Sequence, residues 1–297
     1  MSDPLYTHIH EKFRHIAHLP DKERIEFIHS PRWVGYDTAN QVIDVMQGLM
    51  NHVKQHRMPN LLLIGDSNNG KTTIINRFYD KFGENYTVDE ELVIPIIKIQ
   101  APPTASEKDL YISIIEAFQL PYRPTDATNK LRYQVVNAFR HTNGKMLIID
   151  EVHSMLTGTA RQQRAIMNVI KFLCNELLMP IVLCGTKDAI RILHTDPQHA
   201  SRFDVAELSL WRNDKEFKRL VGSFEKILPL KKPSKLIETE KVNLIYSIST
   251  GNLGDVKRLI NDCAISAIES GEEEITVENI KGKSCLKPTK GLRKIIG

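Results

Sequence analysis

The feature that most constrains this chain is a glycine-rich loop between a short apolar run and an amphipathic segment. Residues 61–64 are all Leu or Ile, and residues 65–72 (GDSNNGKT) match the pattern GxxxxGK followed by Ser or Thr. Between a strand and a helix, such glycines let backbone N–H groups curl around a phosphate, and the helix N-terminus adds its positive end. The sequence therefore predicts a P-loop on an α/β fold.

The loop assigns separate roles to its residues. Lys71 is placed to reach the β- and γ-phosphates of a nucleotide, and the Thr72 hydroxyl to hold Mg²⁺. An ordinary loop is the alternative, but the strand-to-helix setting argues against it. We expect the rest of the loop and its first helical turn to contact nucleotide as well: Gly65, Asp66, Ser67, Asn68, Asn69, Gly70 and Thr73.

A second apolar run ends in two acids, Asp150 and Glu151, after residues 146–149. This is a Walker B pattern, and we expect it at the end of a strand that neighbours the P-loop strand. Asp150 is placed to orient the magnesium shell and Glu151 to polarise a water in line with the γ-phosphate, which favours an ATPase over a kinase. A strand that ends in two solvated acids is the alternative.

Strands and helices alternate as far as Trp211, and only helical patterns follow it. Strand–helix alternation predicts a parallel sheet. We therefore predict four segments: an N-terminal helical segment at residues 1–36, an α/β nucleotide-binding domain at 37–211, a smaller helical domain at 212–280 and a basic tail at 281–297.

Composition places the chain among soluble globular proteins, with 41% hydrophobic and 26% charged residues. The net charge of +4 is concentrated in residues 281–297, which contain six cations and no acid. That tail suits a polyanion such as nucleic acid, although a solvated tail without a partner fits equally well. The four cysteines form no CxxC pair, and neither a signal peptide nor a membrane span is evident, so we expect a cytoplasmic protein.

These motifs together resemble the AAA+ superfamily, in which a P-loop domain is followed by a helical lid. More narrowly, residues 30–36 (SPRWVGY), 57–62 (RMPNLL) and the P-loop resemble the TniB family of transposition ATPases, which is similar to the TnsC ATPases. The resemblance extends from about Ser30 to Ile260. It implies an AAA+ fold with a C-terminal lid domain.

The resemblance also implies further nucleotide-site residues. Thr186 stands in the sensor 1 position, although capping of the next helix would also explain a Thr there. Arg202 stands where the family places an arginine finger that reaches the nucleotide of a neighbouring subunit, with a plain surface arginine as the alternative.

The lid departs from the AAA+ pattern at sensor 2. Gly254 or Asp255 falls where an arginine is expected. Either Lys257 or Arg258 reaches the nucleotide from one turn later, or the lid senses nucleotide weakly.

The residues before the first core helix wrap the adenine in AAA+ relatives. Trp33, Val34 and Tyr36 are the corresponding candidates, with Arg32 beside them. Packing of the N-terminal segment is the competing explanation.

By resemblance, the chain binds ATP and Mg²⁺, forms a homo-oligomer (a ring or a helical filament) on duplex DNA, and links that DNA to a DDE transposase. A TniQ-like target-selection adaptor is a further candidate partner. DNA-facing residues are expected between the P-loop and Walker B, where hydroxyls, cations and helix starts can hold phosphates without reading bases. The candidates, each of which could instead be a helix cap or a solvated cation, are Thr104, Lys108, Arg123, Thr125 and Lys130.

Three alternatives remain open from the sequence. A helicase loader or replication initiator would share every nucleotide motif. A small-molecule kinase would be expected to have an Arg-rich mobile lid, and no such cluster follows Walker B. A scaffold that binds ATP without turning it over would also retain the loop.

Overall fold

A computed structural model describes residues 5–193 and 201–283 of the chain. Backbone contacts divide the chain into two compact units. The sheet unit comprises residues 37–66 and 71–208, and the helical unit comprises residues 1–36, 67–70 and 209–297. All but the first three residues of the predicted basic tail lie outside the described residues, so its role stays a prediction.

The described residues contain seven strands and eleven α-helices. The strands are β1 (Asn60–Gly65), β2 (Tyr86–Val88), β3 (Glu91–Val93), β4 (Ile96–Gln100), β5 (Met146–Asp150), β6 (Ile181–Gly185) and β7 (Phe203–Leu208). The helices are α1 (Asp21–His29), α2 (Asp37–Met50), α3 (Lys71–Phe82), α4 (Glu107–Ala117), α5 (Thr128–His141), α6 (Ala160–Leu177), α7 (Ile190–Leu193), α8 (Lys215–Glu225), α9 (Thr239–Ser249), α10 (Leu253–Glu269) and α11 (Val277–Gly282).

The sheet unit is built on five parallel strands in the order β4-β5-β6-β1-β7. Every residue of β1, β5 and β6 is buried, which explains their uninterrupted apolar sequences. Because the strands are parallel, their carboxyl ends share one edge of the sheet. The P-loop, Glu151 and Thr186 all follow strand ends at that edge, where open α/β sheets bind ligands.

One expectation about strand order was wrong. The Walker B strand β5 does not neighbour the P-loop strand β1, because β6 lies between them and pairs with both. Strand order depends on long-range pairing, which an apolar run does not encode.

Residues 93–99 form one apolar run in the sequence, which predicts a single strand, but the structure has two strands here. β3 pairs with β2 in an antiparallel hairpin, and β4 joins the main sheet. Pro95 lies between them and has no N–H to donate, so it interrupts a continuous ladder.

Apolar residues recur at helical spacing from Asp37 to about Arg57, which predicts one helix, but α2 ends at Met50. The side chain of Val53 is 81% exposed, so a longer helix would bury no apolar surface there.

The helical unit has its own core, formed by α1 and by helices α8 to α11. Phe217, Ile245 and Leu259 are buried at its centre. The N-terminal apolar spacing forms a 3₁₀ helix at Glu11–His18 rather than a longer α-helix. Arg24 of α1 is fully buried and makes two short bonds to the Glu273 carboxylate, at 2.6 and 2.7 Å, which attach the N-terminal segment to this core.

Two further expectations concern membrane-spanning helices and the cysteines. Among residues 5–193 and 201–283, no helix has the length and apolar character that crossing a bilayer requires. Cys174, Cys184 and Cys263 are buried free thiols, and burial raises the pKa of Cys263 to about 12. Cys285 lies outside the described residues.

Candidate nucleotide-binding site

The glycines of the P-loop are required at both of its ends. At Gly65, a Cβ atom would lie 2.8 Å from the Leu208 carbonyl oxygen, so no larger residue fits where β1 ends. Gly70 has φ +87°, a left-handed conformation that glycine adopts without strain. These two positions bend the chain from strand to helix within the eight-residue motif.

Lys71 begins α3, and its side chain turns back over the loop. Its Nζ donates to the carbonyl oxygens of Gly65 and Asp66 at 3.0 and 2.8 Å, and the residue is only 7% exposed. A buried ammonium group needs such acceptors. An anionic phosphate in the loop would offer Lys71 stronger, charged acceptors than these carbonyls.

Thr72 and Asp150 meet directly, although they come from different elements. The Thr72 hydroxyl donates to Asp150 Oδ2 at 2.8 Å, and Asp150 Oδ1 accepts from the Glu151 backbone N–H at 2.8 Å. A hydroxyl and a carboxylate are hard oxygen donors of the kind that Mg²⁺ prefers. These two residues therefore fit a Mg²⁺ ion, which when bound would neutralise charge on the phosphates.

Glu151 follows the strand in a left-handed conformation, with φ 58° and ψ 32°. Such a backbone is uncommon for a residue other than glycine and is often found at functional sites. Its carboxylate is partly exposed, and its Oε2 lies 3.2 Å from His153 Nε2. A water-activating carboxylate needs this access to solvent. His153 was missed from the sequence, because residues two apart do not normally face each other in a helix.

Thr186 directly follows β6, and in the described part of the chain its side chain makes no capping bond to the 3₁₀ turn at Lys187–Ala189. The capping alternative is therefore not what the structure shows, and contact with the γ-phosphate stays a prediction.

The next residue, Lys187, was also missed from the sequence. Its Nζ lies 3.0 Å from the Glu207 carboxylate and 3.2 Å from that of Asp66 in the P-loop. The hydrogen bonds to these two carboxylates raise the pKa of Lys187, and the bond to Glu207 has the larger effect. The Lys187 ammonium group offsets the negative charge of Asp66 in the P-loop, where an anionic phosphate is expected to bind.

The middle of the P-loop, Ser67–Gly70, groups with the helical unit. There it contacts the first turn of α10, which contains Gly254 and Asp255. Of the alternative sensor 2 residues, Lys257 is half-buried on α10. Arg258 Nε lies 3.6 Å from the Asp262 carboxylate.

The candidate adenine residues lie against the core of the helical unit. Val34 and Tyr36 pack on that core, and the Tyr36 ring meets Trp211 edge-on at 5.1 Å. Burial raises the pKa of Tyr36 to about 12. Trp33 is half-buried. The packing explanation accounts for Val34 and Tyr36, and adenine contact stays a prediction.

Arg202 lies at the opposite edge of the sheet from the P-loop. It precedes β7, whose first residue pairs with Asn60 at the start of β1, and its carbonyl accepts from the Asn60 N–H at 3.0 Å. Its guanidinium donates to Asn175 Oδ1 at 2.6 Å. Because the P-loop follows the other end of β1, Arg202 is directed away from the nucleotide site of its own chain.

Four of the five candidate DNA residues come from two segments that touch. Lys108 on α4 donates from Nζ to the Pro124 carbonyl at 2.6 Å, which places it next to the loop before α5. Asp126 in that loop accepts from Lys130 at 2.7 Å, and this bond and one from the Arg123 backbone N–H lower the Asp126 pKa. The side chains at 104, 123, 125 and 130 are exposed.

With this geometry described, the chain can be compared with known proteins. The family described as bacterial TniB protein matches residues 24–213, which is more than half of the chain. This chain belongs to the TniB family. The match confirms the resemblance inferred from the loop and its flanking segments. No curated protein matches the chain.

Solved structures similar to this TniB-family chain include ORC and Cdc6 proteins. The ORC2 protein of Aeropyrum pernix, in ADPNP–ADP complexes, has a TM-score of 0.63 at 12% identity, with 87% of this chain and 71% of that chain covered. Cdc6p from Pyrobaculum aerophilum has a TM-score of 0.62 at 16% identity, with coverages of 90% and 70%. The A. pernix ORC1 protein in complex with DNA has a TM-score of 0.57 at 14% identity, with coverages of 87% and 68%. At these identities the similarity shows the fold, and it confirms the predicted α/β fold with a parallel sheet and a C-terminal helical region.

Proposed function

We propose that this TniB-family chain is an ATPase that binds ATP with Mg²⁺, assembles as a homo-oligomer on duplex DNA and links that DNA to a DDE transposase. The observation that carries the proposal is the 2.8 Å bond between Thr72 and Asp150. It joins the P-loop helix to the Walker B strand at the point where a triphosphate and its metal would meet. An ordinary loop and a strand with two solvated acids would have no reason to converge there.

Hydrolysis, rather than binding alone, is supported by Glu151. Its left-handed backbone presents a partly exposed carboxylate immediately after the metal-binding candidate Asp150. In the proposed reaction, Glu151 orients and polarises the attacking water, while Lys71 and the loop N–H groups hold the phosphates. A scaffold that binds ATP without turnover is the alternative, and it would gain nothing from this carboxylate.

DNA binding is proposed from the family and from the exposed candidates at residues 104, 123, 125 and 130. Phosphate contacts release counterions, so binding should be independent of sequence and should weaken steeply with salt. A footprint confined to one short sequence and unchanged by salt would contradict this proposal.

The metal site is tested by titrating Mg²⁺ against ATP hydrolysis, with and without duplex DNA. We expect Asp150→Asn and Thr72→Val to require about tenfold more Mg²⁺ or to lose turnover, because each removes an oxygen ligand or its partner. Thr87→Val is the matched control, since Thr87 is an exposed threonine on β2 and is not one of the candidate site residues. Equal Mg²⁺ dependence in all four proteins would contradict the proposed site.

A replication-initiator or helicase-loader role is the second candidate, and the fold shared with ORC and Cdc6 proteins favours it. Co-purification with a DDE transposase, and with a TniQ-like adaptor, is expected under the first proposal. Co-purification with a replicative helicase would favour the second. Electron microscopy with duplex DNA and a non-hydrolysable ATP analogue would identify the oligomer as a ring or a filament.

A further inference from the structure

Side-chain amides fasten the middle of the P-loop to α10, more than 180 residues later in the chain. Asn252 donates from Nδ2 to the Ser67 carbonyl at 2.9 Å. Asn69 accepts at Oδ1 from the Leu253 N–H at 3.2 Å, and its Nδ2 donates to the Ser209 carbonyl at 3.1 Å. Asn252 and Asn69 are 5% and 2% exposed. In both buried side chains, the amide nitrogen donates a hydrogen bond and the amide oxygen accepts one. The oxygen of Asn252 accepts from the backbone N–H groups of Gly254 and Asp255.

Backbone bonds reinforce this contact. The Gly254 N–H donates to the Asn68 carbonyl at 2.9 Å. The Asn68 side chain also reaches Asp255 Oδ1 at 3.4 Å. These bonds use loop carbonyls and asparagine amides, so they do not compete for the backbone N–H groups that a P-loop offers to phosphate. The loop can bind a triphosphate and α10 at the same time.

Gly254 lets the Asn68 side chain lie directly against the first turn of α10. A Cβ atom at residue 254 would lie 2.2 to 2.3 Å from the side-chain atoms of Asn68, so a larger residue there requires that side chain to move. Residue 254 is one of the two positions where the sensor 2 arginine was expected. The space next to this position is thus taken by the Asn68 side chain of the loop rather than by an arginine.

We propose that Asn69 and Asn252 are positioning residues that couple the P-loop to α10, so that the helical domain responds to nucleotide through the loop rather than through an arginine at residue 254. This inference rests on the proposed ATP site. A triphosphate fixes the loop backbone, and every bond from the loop to α10 then transmits that constraint to the first turn of the helix.

Hydrogen–deuterium exchange of the full-length protein, with and without Mg²⁺ and ATPγS, tests the coupling. In the unmodified protein, we expect nucleotide to slow exchange in the loop and also, by about fivefold, in the amides of residues 253–256. In Asn252→Ser, a serine oxygen can still cap α10 but no amide reaches Ser67. Nucleotide should then still protect the loop, while the effect on residues 253–256 falls below about twofold.

Asn261→Ser is the matched control. Asn261 lies on the same helix, and its side chain bonds the Ile28 carbonyl at 3.4 Å rather than the loop. We expect the control to respond to nucleotide as the unmodified protein does. If Asn252→Ser fails to fold, Asn252→Asp keeps an oxygen that can cap α10 but removes the amide that donates to Ser67, and it should give the same loss.

The outcomes separate this inference from the proposed function. If nucleotide protects the loop of the unmodified protein but residues 253–256 do not respond, the coupling is wrong and the ATP site stands. The same conclusion follows if residues 253–256 respond as strongly in Asn252→Ser as in Asn261→Ser. If nucleotide protects neither the loop nor α10, the proposed ATP site fails and the coupling fails with it.

Discussion

The two parts of the P-loop are held by different means. Gly65, Lys71 and Thr72 belong to a strand and a helix of the sheet unit, and they are placed by a buried parallel ladder and by bonds to their own unit. Residues 67–70 belong to the helical unit and are held by side-chain amide bonds, from Asn252 to Ser67 and from Leu253 N–H to Asn69. Under the proposed function, the sheet unit would carry the phosphate chemistry and the helical unit would carry the response to it.

The largest effect is expected in the sheet unit, from Lys71→Ala. This change removes a buried cation that would pair with the phosphates, and kcat/KM for ATP should fall by about a thousandfold. Lys81→Ala is the control, because Lys81 is exposed at the far end of the same helix. Steady-state hydrolysis measures both. Unchanged ATP affinity and turnover in Lys71→Ala would contradict both the proposed nucleotide site and the proposed role of the sheet unit in phosphate chemistry.

Glu151→Gln should separate binding from turnover within the same unit. The amide preserves the shape of the side chain but cannot accept a proton from water, so kcat should fall by about a hundredfold while ATP affinity is kept. Single-turnover hydrolysis and a fluorescent-nucleotide titration measure the two quantities. Equal turnover in the variant would favour a scaffold that does not hydrolyse ATP.

In the helical unit, Glu273→Gln should act on stability instead. Burial would raise the pKa of Glu273, but the bonds from Arg24 and from the Lys231 backbone lower it overall. The carboxylate therefore stabilises the fold above its ordinary pKa, and that contribution is lost as the pH falls through the lowered value. Removing the charge leaves Arg24 poorly paired, and we expect a loss of about 2 kcal/mol at pH 7.

Thermal unfolding of the two proteins between pH 3 and pH 7 checks this expectation. The gap between the curves should close at acid pH, since both side chains are then uncharged. Glu272→Gln, at the exposed neighbouring residue, should change stability by less than about 0.5 kcal/mol. A gap that stays constant across the range would mean that the pair with Arg24 contributes nothing to it.

The smallest effect is expected from Gly254→Arg, a substitution on α10 next to the P-loop residue Asn68. Gly254→Arg introduces the arginine that AAA+ relatives carry, but its Cβ would collide with Asn68. We expect ATP affinity to fall by about threefold, because the Asn68 side chain must turn away from α10 and the loop loses that contact. Gly282→Arg is the control, as a Cβ there meets nothing within 4 Å. Tighter ATP binding in Gly254→Arg would show that the position still serves as a sensor.

The sequence predicted the parts of the site that follow buried strands. The P-loop and Asp150 come after runs in which every residue is buried. The helical pattern from Lys71 to Phe82 predicts α3 with the bounds that it has. Such runs are local, so they can be recognised without knowing their partners. The hairpin of β2 and β3 was missed because most of its side chains are exposed and carry no burial pattern.

The rest depends on contacts between distant residues or on unusual backbone. Asn252 and Ser67 are separated by 185 residues, and no local sequence pattern in either segment predicts the bond between them. His153 reaches Glu151 only because the backbone turns left-handed there. Lys187 is an ordinary surface lysine in sequence, and only the fold brings Asp66 and Glu207 to it.

The location of Arg202 has a consequence for how the activity would scale. In the proposed ATPase, a side chain directed away from its own P-loop could assist hydrolysis only from a second copy, so turnover per chain would rise with protein concentration. Dilution alone would then lower turnover without unfolding the chain, and the proposed assembly of copies on one duplex would restore it.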